Sequence, residues 1–187
     1  MSEAVRTIAV LGAGTMGRGI AHVSALGGFA TRLFDVSEAA LASAREGIAG
    51  NLDQGVARRK VGAEEAAAAL ARLALPAQLA TAVADADLVI EAAPESLPLK
   101  AELFAAAARH APEAALFASN TSALSVTELA AAAGRPTRFA GMHFFNPVHL
   151  MRLVELVRGL ETAESTLAAL AGVARAMGKE VVVVRDV

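Results

Sequence analysis

The stretch "TIAVLGAGTMG", residues 7–17, decides the fold. The short apolar run Thr7–Leu11 ends in three glycines with the spacing G-x-G-x-x-G, and residues 15–26 follow with the periodicity of a helix. A buried run of this length that leads through a glycine turn into a helix is typical of a parallel strand with its crossover connection. The sequence therefore predicts an α/β fold that begins with a strand–turn–helix unit.

The same alternation continues along the chain. Further strands are predicted at residues 30–35, 87–91, 115–119, 138–143, 153–157 and 180–184, and further helices at 97–109, 126–132 and 164–177. After the second strand, Ser37 can cap a long helix that runs towards Lys60, and a second helix over residues 63–73 would return from it. Alternating strands and helices imply right-handed crossovers. We predict one domain over residues 1–187, a Rossmann-type doubly wound, mostly parallel sheet with an inserted helical hairpin.

Composition narrows the class of protein. Hydrophobic residues make up 55% of the 187 positions, the net charge is −2 and the pI is about 6.1, which argues against a nucleic-acid or membrane-surface partner. The N-terminus lacks the pattern of a signal peptide, and no apolar run approaches the roughly 20 residues of a spanning helix. The absence of cysteine excludes disulfides and thiol catalysis. We expect a soluble cytoplasmic domain without a metal site.

The glycines also indicate a ligand. Gly12 permits a tight turn, Gly14 lets the backbone approach a diphosphate, and Gly17 lets helix and strand pack closely. Asp35 closes the second predicted strand, where a carboxylate can accept hydrogen bonds from ribose hydroxyls and repel a 2′-phosphate. This pattern predicts a site for NAD rather than NADP. The alternative is a glycine turn in an α/β fold of another kind.

A histidine and a glutamate form a candidate catalytic pair. His143 ends a predicted strand, at the edge where open α/β sheets bind ligands. Imidazole can remove the proton of a carbinol as hydride leaves, and it can return the proton in reverse. Glu155, on the next strand, would orient the imidazole and stabilise its charged form. The alternative for His143 is a hydrogen-bonded histidine of the core.

Several stretches together resemble the NAD-binding domain of the L-3-hydroxyacyl-CoA dehydrogenases, the 3-hydroxybutyryl-CoA dehydrogenase group included. They are "VLGAGTMGRGIA", "DLVIEAAPESLPLKAELF", "FASNTSALSVTELA", "RFAGMHFFNPVHLMRLVELV" and "AMGKEVVVVRDV", in family order over nearly the whole chain. The most specific feature is "SNTS" followed by "HFFNP". The resemblance implies that His143 and Glu155 are the catalytic pair and that Ser122 hydrogen-bonds the substrate.

The resemblance also implies binding residues. The family's cofactor contacts fall on Gly12, Ala13, Gly14, Thr15, Met16, Gly17, Asp35, Glu95, Lys100, Ser122 and Asn146. Its coenzyme A contacts fall on Asn51, Arg58 and Ser122, although relatives usually carry serine and lysine at the first two positions. A solvated basic end of the helix, formed by Arg58, Arg59 and Lys60, is an equal alternative for this segment.

One departure from the family bears on function. Its members continue beyond the equivalent of "RDV" into a helical domain that supplies a catalytic asparagine, covers the acyl pocket and forms a homodimer interface, whereas this sequence stops at Val187. We therefore expect a truncated chain that lacks this C-terminal helical domain. One hypothesis is an oxidoreductase that converts (3S)-3-hydroxyacyl-CoA to 3-oxoacyl-CoA with NAD. The other is an isolated NAD-binding module without turnover. A β-hydroxyacid dehydrogenase with a catalytic lysine shares the glycine motif but does not predict "HFFNP".

Overall fold

An eight-stranded sheet forms the centre of the computed structural model, which describes residues 4–186. The strands are β1 (Thr7–Leu11), β2 (Ala30–Phe34), β3 (Leu73–Ala74), β4 (Leu88–Glu91), β5 (Leu116–Ser119), β6 (Phe139–Phe144), β7 (Leu153–Arg158) and β8 (Glu180–Arg185). Their order across the sheet is β3-β2-β1-β4-β5-β6-β7-β8. All neighbouring strands are parallel except β6 and β7. The predicted Rossmann-type, mostly parallel sheet is confirmed.

Helices cover both faces of this sheet. They are α1 (Thr15–Leu26), α2 (Glu38–Ala57), α3 (Ala63–Arg72), α4 (Leu79–Val83), α5 (Leu97–Ala108), α6 (Val126–Ala132) and α7 (Glu164–Ala176), with a 3₁₀ turn at Pro136–Arg138. The hydroxyl of Ser37 accepts a hydrogen bond of 3.1 Å from the Ala40 N–H and so caps α2 as predicted. Helices α2 and α3 form the inserted hairpin. Helix α2 ends before Lys60 because Arg59 adopts the left-handed conformation, with φ of 56°.

Two short elements differ from the sequence prediction. Leu73 was predicted to end α3, but it pairs with Thr31 and begins β3, the edge strand beside β2. Pro76 follows closely, and a proline disfavours helical backbone in the residue before it, which limits any continuation of α3. Helix α4 is absent from the prediction because its five residues are too few to show a helical period.

The core has two layers, one on each face of the sheet. Alternate residues of β1 point to opposite layers: Ile8 and Val10 to one and Ala9 and Leu11 to the other. The first layer joins α1, α2, α3 and α7, and the second joins α4, α5 and α6. In the second layer the rings of Phe104 and Phe139 meet edge to face, with centroids 4.8 Å apart. Because both faces are buried, the ligand-binding groups are confined to the strand ends and their loops. In residues 4–186, no helix has both the length and the apolar character needed to cross a bilayer.

Candidate active site

The loop between β1 and α1 has the geometry of a diphosphate cradle. Gly12 has φ of 105°, and a Cβ atom placed there would lie 2.7 Å from the Ala92 carbonyl oxygen. A Cβ on Gly17 would lie 1.7 Å from the Gly12 oxygen, so only glycine permits this packing of helix on strand. At Gly14, by contrast, no atom of residues 4–186 lies within 4 Å of the added Cβ position, apart from Gly14 itself and its two neighbours in the chain. No side chain of residues 4–186 caps α1, which leaves N–H groups of its first turn free for an anion.

Asp35 borders the same cleft. The carboxylate accepts hydrogen bonds from the N–H groups of Ala13, at 2.8 Å, and Ser37, at 2.9 Å. A carboxylate has about four acceptor positions, so Asp35 keeps capacity for ribose hydroxyls. The cleft has a volume of about 770 Å³, and its lining also includes the apolar side chains Leu99 and Leu103. The residues present therefore fit the adenosine and diphosphate of NAD.

A buried ionic network lies beside the cleft, below the loop that follows β4. Glu91 and Lys100 are 0% and 1% exposed, and the Lys100 ammonium lies 2.7 Å from the Glu91 carboxylate. The other carboxylate oxygen of Glu91 accepts a hydrogen bond of 2.6 Å from the Ser119 hydroxyl. The oxygen that faces Lys100 also accepts a hydrogen bond of 2.5 Å from the Ala93 N–H. The ammonium also lies 3.2 Å from the carboxylate of Glu95, whose side chain is 41% exposed. In the described residues, the polar contacts of Lys100 are thus within the protein, and its contact with the cofactor stays a prediction.

Glu95 connects this network to Ser122. Its carboxylate accepts hydrogen bonds from the Thr121 hydroxyl, at 2.5 Å, and from the Ser122 N–H, at 3.1 Å. Partial burial raises the pKa of Glu95, but the hydrogen bonds from Thr121, Lys100 and Ser122 outweigh it and hold that pKa below its usual value. The Ser122 hydroxyl makes no hydrogen bond to any side chain or backbone group among residues 4–186, and the residue is exposed. That hydroxyl is available to a ligand.

His143 and Glu155 lie directly opposite each other on the antiparallel strands β6 and β7. The Nδ1 atom of His143 is 3.1 Å from the Glu155 carboxylate, and the two side chains are 20% and 34% exposed. The ring also packs against Phe145, with centroids 4.5 Å apart. Because Glu155 occupies Nδ1, the Nε2 atom is the one that can exchange a proton with a substrate.

Three other predicted contacts are at least partly exposed. Asn146 follows β6 and is exposed, without a hydrogen bond to the described residues. Asn51 is half-buried in the middle of α2, and Arg58 is exposed at the end of that helix. No hydrogen bond or ion pair between side chains of the described residues holds either of them. The coenzyme A contacts of Asn51 and Arg58 stay predictions.

Some polar residues of the site went unrecognised in the sequence. Glu91 and Ser119 end β4 and β5 and form the base of the ionic network. Asn120 accepts a hydrogen bond of 2.9 Å from the Phe144 N–H and so fixes the end of β6 beside His143. A signal was present, since Glu91 is a lone charge that closes the apolar run "LVI", with Lys100 in the following helix. No group of three or more His, Asp or Glu side chains that could hold a metal ion is found in residues 4–186.

Comparison with known proteins agrees with this geometry. Residues 7–187 match the family described as 3-hydroxyacyl-CoA dehydrogenase, NAD binding domain. The 3-hydroxybutyryl-CoA dehydrogenase of Bradyrhizobium diazoefficiens is 44% identical over 186 residues, which are 100% of this chain and 63% of that protein. The mitochondrial hydroxyacyl-coenzyme A dehydrogenase of Sus scrofa is 41% identical over 97% of this chain and 60% of its own length.

A solved structure gives the same result at the level of the fold. The crystal structure of (S)-3-hydroxybutyryl-CoA dehydrogenase from Ralstonia eutropha superposes with a TM-score of 0.94 at 40% identity, over 98% of this chain and 65% of that one. The chain thus spans a little under two thirds of the length of these relatives. The glycine loop, Asp35 and the nucleotide-sized cleft agree with the cofactor that the family binds. The chain belongs to the 3-hydroxyacyl-CoA dehydrogenase family, and its fold is that family's NAD-binding domain.

Proposed function

We propose that the protein interconverts (3S)-3-hydroxyacyl-CoA and 3-oxoacyl-CoA with NAD, and that residues 1–187 form one NAD-binding domain. The observation that carries the proposal is the contact of 3.1 Å between His143 and Glu155 at the same sheet edge as the NAD cleft. The names of the relatives support the substrate class, because they include 3-hydroxybutyryl-CoA and 3-hydroxyadipyl-CoA dehydrogenases. Localisation in the cytoplasm and assembly into a homodimer stay predictions.

The residues divide the chemistry between them. The cleft beside the glycine loop and Asp35 would hold NAD, which would supply the acceptor for the hydride of the carbinol carbon. His143 takes the hydroxyl proton on Nε2, while Glu155 holds Nδ1 and stabilises the positive charge that develops on the ring. The free hydroxyl of Ser122 donates to the substrate oxygen and orients it. In the reverse direction His143 returns the proton to the ketone oxygen.

Substitution of His143 tests the mechanism. In the form of the protein that shows turnover, His143→Gln should lower kcat for reduction of acetoacetyl-CoA by NADH at least about a hundredfold, the usual scale of general acid–base catalysis. The affinity for NADH should stay the same, because the Glu155-bound imidazole faces the substrate side. His110→Gln is the matched control, since His110 is exposed at the end of α5. Near-normal turnover of His143→Gln would contradict the catalytic role of His143 and would support the alternative, a hydrogen-bonded histidine of the core.

The alternative is a module that binds NAD without turnover. One observation favours it: Ser122 and Asn146 are exposed, so no part of residues 4–186 covers the position expected for the acyl group. Water exclusion and positioning can contribute several kcal/mol to catalysis. The two functions separate when the 187-residue chain is assayed with acetoacetyl-CoA and NADH. NADH binding with turnover orders of magnitude below that of the 3-hydroxybutyryl-CoA dehydrogenase of Bradyrhizobium diazoefficiens, assayed alongside, would identify this chain as the module.

A further inference from the structure

The turn between the two catalytic strands is tied to a buried lysine. In this turn, residues 147–151, the N–H groups of Leu150 and Met151 donate to the Pro147 oxygen at 3.0 and 2.9 Å. Lys179 directly precedes β8 and is only 8% exposed. Its ammonium donates to the carbonyl oxygens of Val148 and, at 2.7 Å, Met151. Lys179 therefore holds the turn at two points, near its start at Val148 and at its end at Met151.

The turn also rests on α1, the helix that begins at the diphosphate cradle. Val148 is 2% exposed, and a Cβ placed on Gly19 would lie 2.7 Å from the Cβ of Val148. The ring of His149 stacks on that of His22, with centroids 5.3 Å apart and planes 14° from parallel. The turn thus joins the catalytic strands to the helix that carries the NAD site.

The charge of Lys179 is not neutralised by a carboxylate. Among residues 4–186, no Asp or Glu lies within ion-pair distance of its ammonium, and burial lowers the pKa of this lysine. The neighbouring imidazoles, His22 and His149, have pKa values lowered by burial and by this positive charge. A buried cation without a counter-ion is costly, and an apolar side chain of similar size would avoid that cost. A residue that costs stability in this way is expected where function requires that residue type.

We propose that Lys179 is a positioning residue for the reaction: it fixes the turn at residues 147–151 and thereby holds His143 against Glu155. The inference rests on the proposed function. Catalytic groups need placement to within about 0.5 Å, which a connection on the surface does not secure by itself. The hydrogen bonds between β6 and β7 fix the backbone of His143 and Glu155. Lys179 fixes the turn at residues 147–151 that connects these two strands.

Two measurements on Lys179→Met test the proposal. The ring ¹⁵N signals of His143, recorded on the 187-residue chain, should move towards those of Glu155→Gln, because the contact with the carboxylate loosens. In the form of the protein that shows turnover, kcat for acetoacetyl-CoA should fall about tenfold or more, with KM for NADH changed less than about twofold, as expected for lost positioning. Arg135→Met is the matched control. Arg135 also binds backbone carbonyl oxygens, but it does so between α5 and β5, at the opposite edge of the sheet.

Each outcome decides the matter. Unchanged His143 signals in a folded Lys179→Met overturn the proposal, and so do losses of Tm and kcat no larger than those of Arg135→Met. If the methionine variant does not fold, Lys179→Gln replaces it, because it removes the charge and places its amide donors one bond short of the ammonium that contacts Val148 and Met151. His143 signals at wild-type positions in that variant overturn the proposal. Absence of turnover in the wild-type protein refutes the proposed function. In that case the ¹⁵N signals of the His143 ring alone test whether Lys179 positions His143.

Discussion

Replacement of Lys100 by methionine isolates the contribution of the buried ionic network. Methionine fills a similar volume but leaves the carboxylate of Glu91 without its cation, at a position that is 0% exposed. Two of the three hydrogen-bond donors to Glu91 remain, the Ser119 hydroxyl and the Ala93 N–H. Loss of one partner of a buried ion pair costs about 3–5 kcal/mol, because the other charge stays buried.

That cost is large beside the stability of a domain. Folded proteins are stable by about 5–15 kcal/mol, and each kcal/mol shifts Tm by about 2–4 °C in a domain of this size. We therefore expect Lys100→Met to lower Tm by about 6–20 °C and the urea midpoint in proportion. Lys60→Met is the matched control, since Lys60 is exposed and forms no ion pair in the described residues. It should change the free energy of unfolding by less than about 0.5 kcal/mol.

A double substitution separates charge burial from lost packing. Glu91→Gln combined with Lys100→Met removes both charges, so the double variant should be more stable than Lys100→Met alone. The measurements are thermal and urea unfolding followed by circular dichroism, without cofactor. A cost below about 1 kcal/mol for Lys100→Met would show that Glu91 is not held as a buried carboxylate and would refute this account of the network.

Three further predictions concern two carboxylates, Asp35 and Asp186, and one histidine, His22. Asp35→Ala should weaken NAD binding about tenfold or more and NADP binding less, because each hydrogen bond to a charged group contributes about 1.5–3 kcal/mol; calorimetric titration of both cofactors measures the ratio, and an unchanged ratio contradicts the role of Asp35. Burial, His149 and Lys179 lower the pKa of His22 from 6.5 to about 4. The unfolded state therefore binds the proton first, and the free energy of unfolding should fall by about 3 kcal/mol as the pH drops from 6.5 to 4. His22→Leu should not show this loss of stability between pH 6.5 and pH 4. If its free energy of unfolding depends on pH as that of the wild type does, His22 is not the cause of the loss. The hydrogen bonds from Thr127 and Ser125 lower the pKa of Asp186 against the opposing effect of burial. Asp186→Asn should thus cost stability above pH 3.8, and the difference from wild type should vanish as the pH falls through the lowered pKa, as measured by urea unfolding at pH 7 and pH 3.

The sequence predicts most of the architecture because its strands are short, apolar and bounded by clear turn residues. The run at residues 7–11 and the helix at 15–26 agree with β1 and α1 to the residue. The strand β3 and the helix α4 escape prediction because two and five residues are too short for a periodic signal. The end of α2 depends on a left-handed Arg59, for which a non-glycine residue gives no warning.

The site divides in the same way. The pairing of His143 with Glu155 follows from strand ends, because both residues lie at one edge of a sheet whose strands the sequence predicts. The network around Glu91 does not, since its partners lie on separate elements: the register of β4 and β5 places Ser119 beside Glu91, and the packing of α5 brings Lys100 to it. The role of Lys179 is hidden for another reason. Its acceptors are backbone carbonyls, which carry no sequence signature of their own.

The proposed acid–base pair resides on one contiguous hairpin, and this constrains how the gene can change. His143 and Glu155 face the same side only because the antiparallel register sets them opposite each other. Side chains alternate along a strand, so an inserted or deleted residue within either strand would turn one partner to the other face. Insertions after α2, around residues 59–62, alter no strand register. We expect length variation among descendants of this sequence to accumulate in the hairpin of α2 and α3, while the segment from residue 143 to residue 155 keeps its length.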